Sequence, residues 1–246
     1  MVASVKLKCL KGGATSHNEI RLLTDMYFQV QKLRISVGNR IDAVMRDADQ
    51  TVPGHLEFLR RTYKTLCEIE EYCTERAKDY LREHPTWHWL GTIKGIGPVL
   101  GAKLLSYIDI KKADTISALW RYAGLGVVDG KAERLVAGEK AHYNKKLKVT
   151  MYLIGTSFLR SRSKFAEIYY AEKERQQKLH PELRPIVVHY RAMRKMNKVF
   201  LACLWLIWRE ALGLPTRKPY VHEYLGHTTL YDPWEFSEKG VKAAKA

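Results

Sequence analysis

The residues best suited to chemistry stand together at Ile93-Lys94-Gly95-Ile96-Gly97-Pro98, a bend placed just ahead of a helical stretch that runs on to Leu105. Glycine accepts the positive φ of a sharp turn and puts no side chain between backbone and ligand, while proline suits the first helical position, where its missing N–H has no intrahelical partner to lose. The first turn of a helix leaves N–H groups unpaired at the positive end of the macrodipole, and a phosphate answers both. Lys94 and Lys103 add charge, and Ile96 is placed to pack inward. The pattern predicts a helix-hairpin-helix in which Gly95, Ile96 and Gly97 offer main-chain donors to a nucleic-acid backbone without reading bases. The same glycines also suit an interhelical turn that only needs close packing.

Charge favours the phosphate reading. The chain has 42 Lys+Arg against 26 Asp+Glu, a formal net charge of +16, and such a balance calls for a polyanionic partner. The excess is uneven: residues 1–90 hold 14 Lys+Arg and 12 Asp+Glu, and residues 91–246 hold 28 and 14. Its densest part lies between Lys131 and Lys164, where Lys140, Lys145, Lys146, Lys148, Arg160, Arg162 and Lys164 face only Glu133 and Glu139, with His142, Tyr143 and Tyr152 interleaved. Positions 145, 148 and 152 share a helical face, as do 160 and 164. A cationic face of this kind binds phosphates by counterion release, although a charge run also serves as an ordinary solvated surface.

Other candidate chemistry is weaker. His222 and His227 are five apart with Gly226 between them, whereas two histidines on one helical face are four apart, so they are expected to pack or cap rather than hold a metal. Ser157, Ser161 and Ser163 stand among arginines and lysines, and most such serines are inert. The four cysteines, Cys9, Cys67, Cys73 and Cys203, form no Cys-x-x-Cys pair and fit a reduced, cytoplasmic protein. No metal or cofactor is predicted. The longest apolar run, Val199 to Trp208, is far short of the roughly 20 residues that cross a bilayer.

The expected fold class is mainly α. Leu23, Met26, Val30, Leu33, Val37, Ile41 and Val44 mark one long amphipathic helix, and Leu56, Leu59, Tyr63, Leu66, Cys73, Ala77 and Tyr80 mark a second. The turn signal at 49–54 joins them into an antiparallel hairpin over about 16–84, ended by His84-Pro85, and seams of that length could also zip two chains into a dimer. Residues 1–86 are therefore read as a helical hairpin and possible dimerisation element, 87–236 as a compact helix-hairpin-helix domain, and 237–246 as a disordered tail. Within the compact part, Thr115 or Asp114 is placed to cap a helix reaching Tyr122. Asp129-Gly130 suits a small β-hairpin, residues 144–178 read as one or two helices, and the strongest helix runs from Ile186 to Leu212 with Gly213 as its stop. The apolar face of that last helix, with Phe200, Leu201, Leu204, Trp205 and Trp208, is expected in the core.

The Ile93-Lys-Gly-Ile-Gly-Pro bend with Leu104-Leu105, followed by Trp120-Arg-Tyr-Ala-Gly-Leu-Gly126 and a basic segment, resembles the C-terminal transposase domain of the DEDD-type insertion-sequence transposases, the bridge-RNA-guided serine recombinases. The resemblance extends over about 87–212, and the long helices before it look like that family's coiled coil. It implies DNA as partner and a role in recombination or transposition, with origin in a mobile element or a virus. The family's RuvC-like nuclease domain has no counterpart in these residues. Its catalytic serine, in a Ser-Gly step, corresponds here to Ala137-Gly138, ahead of His142-Tyr-Asn-Lys-Lys146, and alanine cannot attack a phosphodiester. The expected function is nonspecific or structure-directed binding of duplex or branched DNA by a homodimer, without strand cleavage. Two other readings stand beside it: a serine-dependent recombinase fragment working with a separate nuclease subunit, and an RNA-binding ribonucleoprotein scaffold.

Overall fold

The computed structural model of the chain describes residues 16–46, 54–128, 131–133, 135, 137–216 and 231–237. Its elements in order are α1 (His17–Arg46), α2 (His55–Arg82), α3 (Trp87–Leu90), α4 (Pro98–Tyr107), α5 (Ile116–Tyr122), β1 (Val127–Val128), β2 (Lys131–Ala132), α6 (Lys145–Ser161), α7 (Lys164–Leu179), α8 (Pro185–Ala211) and a short 3-10 helix (Pro233–Phe236). The fold is mainly helical, as the periodicity predicts. The turn at 47–53, the histidines at 222 and 227, Cys9 and residues 238–246 lie outside the described residues.

A reciprocal capping box starts α1: the Ser16 N–H donates to Glu19 Oε2 at 2.7 Å, and the Glu19 N–H donates to Ser16 Oγ at 3.2 Å. The helix then runs antiparallel to α2. The Arg34 guanidinium ties the pair together, meeting Glu70 at 2.5 Å and the Tyr63 hydroxyl at 3.0 Å. Val37, Leu66, Cys73 and Ala77 are buried along the seam. Toward its base this hairpin shares a core with the shorter helices, since Ile20, Ala77 and Leu81 pack in one cluster with Trp89, Leu104 and Leu105.

Thr115 does cap α5, its Oγ1 accepting from the Ala118 N–H. The two-residue strands pair antiparallel, Val127 with Ala132 and Val128 with Lys131, on either side of positions 129–130. Asn144 opens α6 by accepting from the Leu147 N–H at 3.0 Å. One helix becomes two where Arg162 adopts left-handed φ of 52° and Ser163 starts α7. The last long helix ends with Leu212 as its cap and Gly213 at φ 63°.

The core is aromatic. Phe158, Phe165 and Phe200 are fully buried against one another, Phe236 stacks on Phe165 at 4.1 Å, and the Trp89 indole donates to the Pro233 carbonyl at 2.9 Å, so residues 231–237 close over the same core. All five expected core residues of α8 are buried. Arg209, buried on the same helix, donates to the carbonyls of Pro215, Ile110 and Ala113 and lies 3.7 Å from Asp114 Oδ1. Among the described residues, no helix is long and apolar enough to cross a membrane.

Candidate nucleic-acid interface

The bend joins α3 to α4 and is held from below by α6. Gly95 sits at φ 96°, a conformation other residues resist, and a Cβ there would lie 2.7 Å from Ser161 Oγ and 3.2 Å from the Ser157 carbonyl oxygen. Its own carbonyl accepts from Ser157 Oγ at 2.6 Å. Ile96 is buried beneath the turn, as its placement predicts. Gly97 departs from expectation: at φ −85° and ψ 168° it is ordinary extended backbone, and a Cβ added there would meet nothing within 4 Å, so its glycine answers to no backbone constraint. Gly97 is nonetheless exposed, no side chain caps α4, and the amides of Val99 and Leu100 have no carbonyl one turn back to bond. Lys94 is exposed beside them.

The serines that could have supplied a nucleophile are otherwise employed. Ser157 donates to Gly95, Ser161 sits against the Phe158 carbonyl at 3.4 Å, and Ser163 Oγ is buried with no hydrogen-bond partner among the described residues. Among the described residues, none of the three bonds a histidine, lysine or carboxylate that could take its proton. Ala137 and Gly138 form an exposed turn, Gly138 at φ 82°.

Lysines of the basic run divide by what they touch. Lys103, expected at the phosphate, is 7 % exposed and turned the other way, meeting Asp25 of α1 at 2.6 Å and lying 4.7 Å from the Phe28 ring. Lys146 reaches the other oxygen of the same carboxylate at 2.5 Å. Burial raises the Asp25 pKa, but the hydrogen bonds from Lys103 and Lys146 outweigh it and hold the carboxyl below its usual range; the same bond raises Lys146. Lys103 is buried in this clamp of α1 onto α4, while Lys146 joins it from the surface, its side chain 64 % exposed. Lys164 donates to the carbonyls of Glu235 and Ser237 and so fastens the segment 231–237. Lys148 lies 4.1 Å from the Tyr143 ring and donates to the Glu133 carbonyl, which fixes its position without cancelling its charge. Lys140, Lys145, Arg160 and Arg162 are exposed and make no ion pair among the described residues.

Tyr122, Lys140, Ala141, His142, Tyr143 and Asn144 line an open hollow of about 510 Å³ at the start of α6. Gly124, at φ 70°, lets the chain pass under it: a Cβ there would strike the Lys148 side chain at 2.8 Å and the Tyr143 ring at 3.0 Å. The Asn144 amide donates to the Tyr122 hydroxyl at 2.9 Å and orients that ring. His142 is exposed. The bend packs near the end of α6 and the hollow stands at its beginning. Ser157 and Lys145 are therefore about 18 Å apart along the helix, at about 1.5 Å per residue.

Residues 88–170 match the family model described as Transposase IS116/IS110/IS902 family. This stretch, about a third of the chain, begins in α3 and ends in α7, and it contains the bend, the hollow and the basic run. It is transposase-like, and a transposase-related function follows for it. The match does not reach the region between 170 and 212. No curated protein and no solved structure matches the chain. Among the described residues there is no group of three or more His, Cys, Asp or Glu placed to hold a metal ion.

One further basic surface is masked in the sequence pattern. Arg191, Arg194, Lys195 and Lys198 share a face of α8, and Arg194 and Lys198 are half-buried. Their spacing of three and four was available as a signal, but it lies on the helix whose apolar face dominates the pattern.

Proposed function

We propose that this protein is a DNA-binding relative of the insertion-sequence transposases that holds duplex or branched DNA by its backbone phosphates and does not itself cut strands. What carries the reading is a coincidence of place: the transposase-like stretch also holds the uncapped start of α4 and the exposed cations Lys140, Lys145, Arg160 and Arg162, which make no ion pair among the described residues. Lys94 and the amides of Val99 and Leu100 take one phosphate, and Lys140, Lys145 and Lys148 take others at the far end of α6. His142 and the two tyrosines of the hollow lie beside that second contact. Lys103, buried against Asp25, supports this interface from behind, and Lys146 and Lys164 are anchored to Asp25 and to the carbonyls of Glu235 and Ser237.

The absence of cleavage rests on Ala137 at the position of the family's nucleophile and on the serines of α6 being bonded into the scaffold. A homodimer through the long helices is part of the proposal. Leu22, Met26 and Leu33 are exposed on one face of α1, and Phe58 is exposed on α2, as an interhelical seam requires.

A salt titration tests the reading. Binding of labelled duplex DNA, a four-way junction and folded RNA is measured from low to moderate salt, for the natural protein and for Lys140→Gln/Lys145→Gln. The natural protein is expected to prefer DNA, with affinity falling linearly on a log–log plot, and the double variant to lose about 2 from the slope. Preference for folded RNA over both DNAs replaces the reading with the RNA scaffold. A covalent protein–DNA adduct on supercoiled or junction DNA replaces it with the recombinase.

A further inference from the structure

The acid-poor face of α8 has no part in the interface built on α4 and α6. From Pro185 to Arg209 the helix contains no Asp or Glu, and Glu210 in its last turn is its one acid. Met193, Met196, Asn197 and Phe200 are buried, and Asn197 Nδ2 donates to the Met151 carbonyl of α6 at 3.0 Å. With 100° per residue, Arg191, Arg194, Lys195 and Lys198 project from the opposite side of the helix. The Gly95 bend rests on a different face of α6, at Ser157 and Ser161.

The contacts these cations make hold them in place without neutralising them. Lys198 lies 4.9 Å from the Trp120 ring, and the Trp120 indole donates to the Lys198 carbonyl at 2.9 Å. Arg191 donates to Gln176 Oε1 at 3.0 Å, a neutral acceptor. Arg194 and Lys195 make no hydrogen bond or ion pair among the described residues. The acid nearest in effect, Glu172, bonds Arg175 at 2.8 Å and Gln176 at 2.7 Å, and Lys195 also helps to keep it ionised. Burial and the neighbouring positive charge push Arg194 and Lys198 below their ordinary ranges. Half-burying Arg194 and Lys198 side by side, with no ion pair to either among the described residues, destabilises the fold, and an external polyanion relieves that cost.

We propose that Arg191, Arg194, Lys195 and Lys198, with Lys198 positioned on Trp120, form a second phosphate-binding face that takes the sugar–phosphate backbone of DNA. This extends the proposed DNA binding beyond the matched stretch to a helix outside it, and it rests on that reading. The ligand is a phosphodiester backbone and not a single phosphate, because the four cations are spread along two turns of helix, about 10 Å.

The test compares the full chain with Arg194→Gln/Lys198→Gln and with Lys140→Gln/Lys145→Gln. The readouts are the salt dependence of duplex binding and the thermal midpoint with and without DNA. For the α8 variant the proposal predicts a slope lower by about 1.8. Its midpoint without DNA is predicted to equal or exceed that of the natural protein, because two repelling half-buried charges are gone, and the upward shift on adding DNA shrinks. Combining both pairs lowers the slope by about twice as much. An unchanged slope in the α8 variant, while the Lys140/Lys145 variant loses its share, overturns this face alone. A lower midpoint with unchanged binding does the same and leaves these residues a packing role. A natural chain that binds no DNA at any salt overturns the interface and this face together.

Discussion

Replacing Asp25 by asparagine separates the lysines that build the fold from those that serve it. Among the described residues the Asp25 carboxylate is the sole acid bonded to Lys103, whose side chain is 8 % exposed, and it also holds Lys146 at the surface. Removing one partner of a buried ion pair costs about 3–5 kcal/mol because the other charge is stranded. Asp25 keeps a quarter of its side chain in water, which screens part of the interaction, so about 2–3 kcal/mol is expected here. In a domain of this size each kcal/mol moves the thermal midpoint by about 2–4 °C, which gives a drop of roughly 5–10 °C. The assay is thermal or urea unfolding of the natural protein, Asp25→Asn, and Asp25→Asn/Lys103→Met. The double variant, with no charge left to strand, recovers most of the loss. Below the midpoint, DNA affinity of Asp25→Asn stays level or rises, since a negative charge is gone and Lys146 is released. A variant as stable as the natural protein, or a double variant no better than the single, refutes the assignment of Lys103 to the α1 clamp.

The two glycines of the bend should part company. Gly95→Ala meets both a left-handed backbone and the Ser161 and Ser157 oxygens, and is expected to lose about 2 kcal/mol or more in urea unfolding, whereas Gly97→Ala loses less than about 0.5 kcal/mol. Acid sensitivity should trace to His84, packed 4.7 Å from the Trp208 ring and pushed down to about 4 by burial and by the charge of His17. The fold accepts His84 neutral, so no penalty applies above pH of about 6.5; as pH falls below that, the unfolded chain takes up a proton the folded chain refuses. The His84 contribution therefore drops between pH of about 6.5 and 4, by up to about 3 kcal/mol, and that contribution levels off below, where the loss of the paired Asp25 carboxylate takes over. His84→Gln should flatten that part of a pH series of unfolding midpoints.

The long helices, the Thr115 cap, the Gly213 stop and the buried face of α8 were legible because each is a local matter of periodicity or capping, and local rules decide them. The fate of individual lysines was not. Lys103 and Lys146 look alike in a basic run, and their partner Asp25 lies 78 and 121 residues away on a helix whose pattern reads as a free-standing seam. A sequence records the charge and not the distant carboxylate that occupies it. Gly95 and Gly97 were indistinguishable for the same reason, since the pressure on Gly95 comes from Ser157 and Ser161, more than sixty residues later. Arg194 and Lys198 failed in the opposite sense: their spacing was visible, but the apolar residues between them claimed the helix for the core.

Whether the uncapped start of α4 receives a phosphate is decided by amide hydrogen exchange at Val99 and Leu100, with and without saturating duplex DNA. Marked slowing is expected at these two amides, together with slowing at Lys145 and its neighbours and no change along the distal part of α1. DNA bound at full occupancy with exchange at Val99 and Leu100 unaltered would contradict phosphate capture at that helix start.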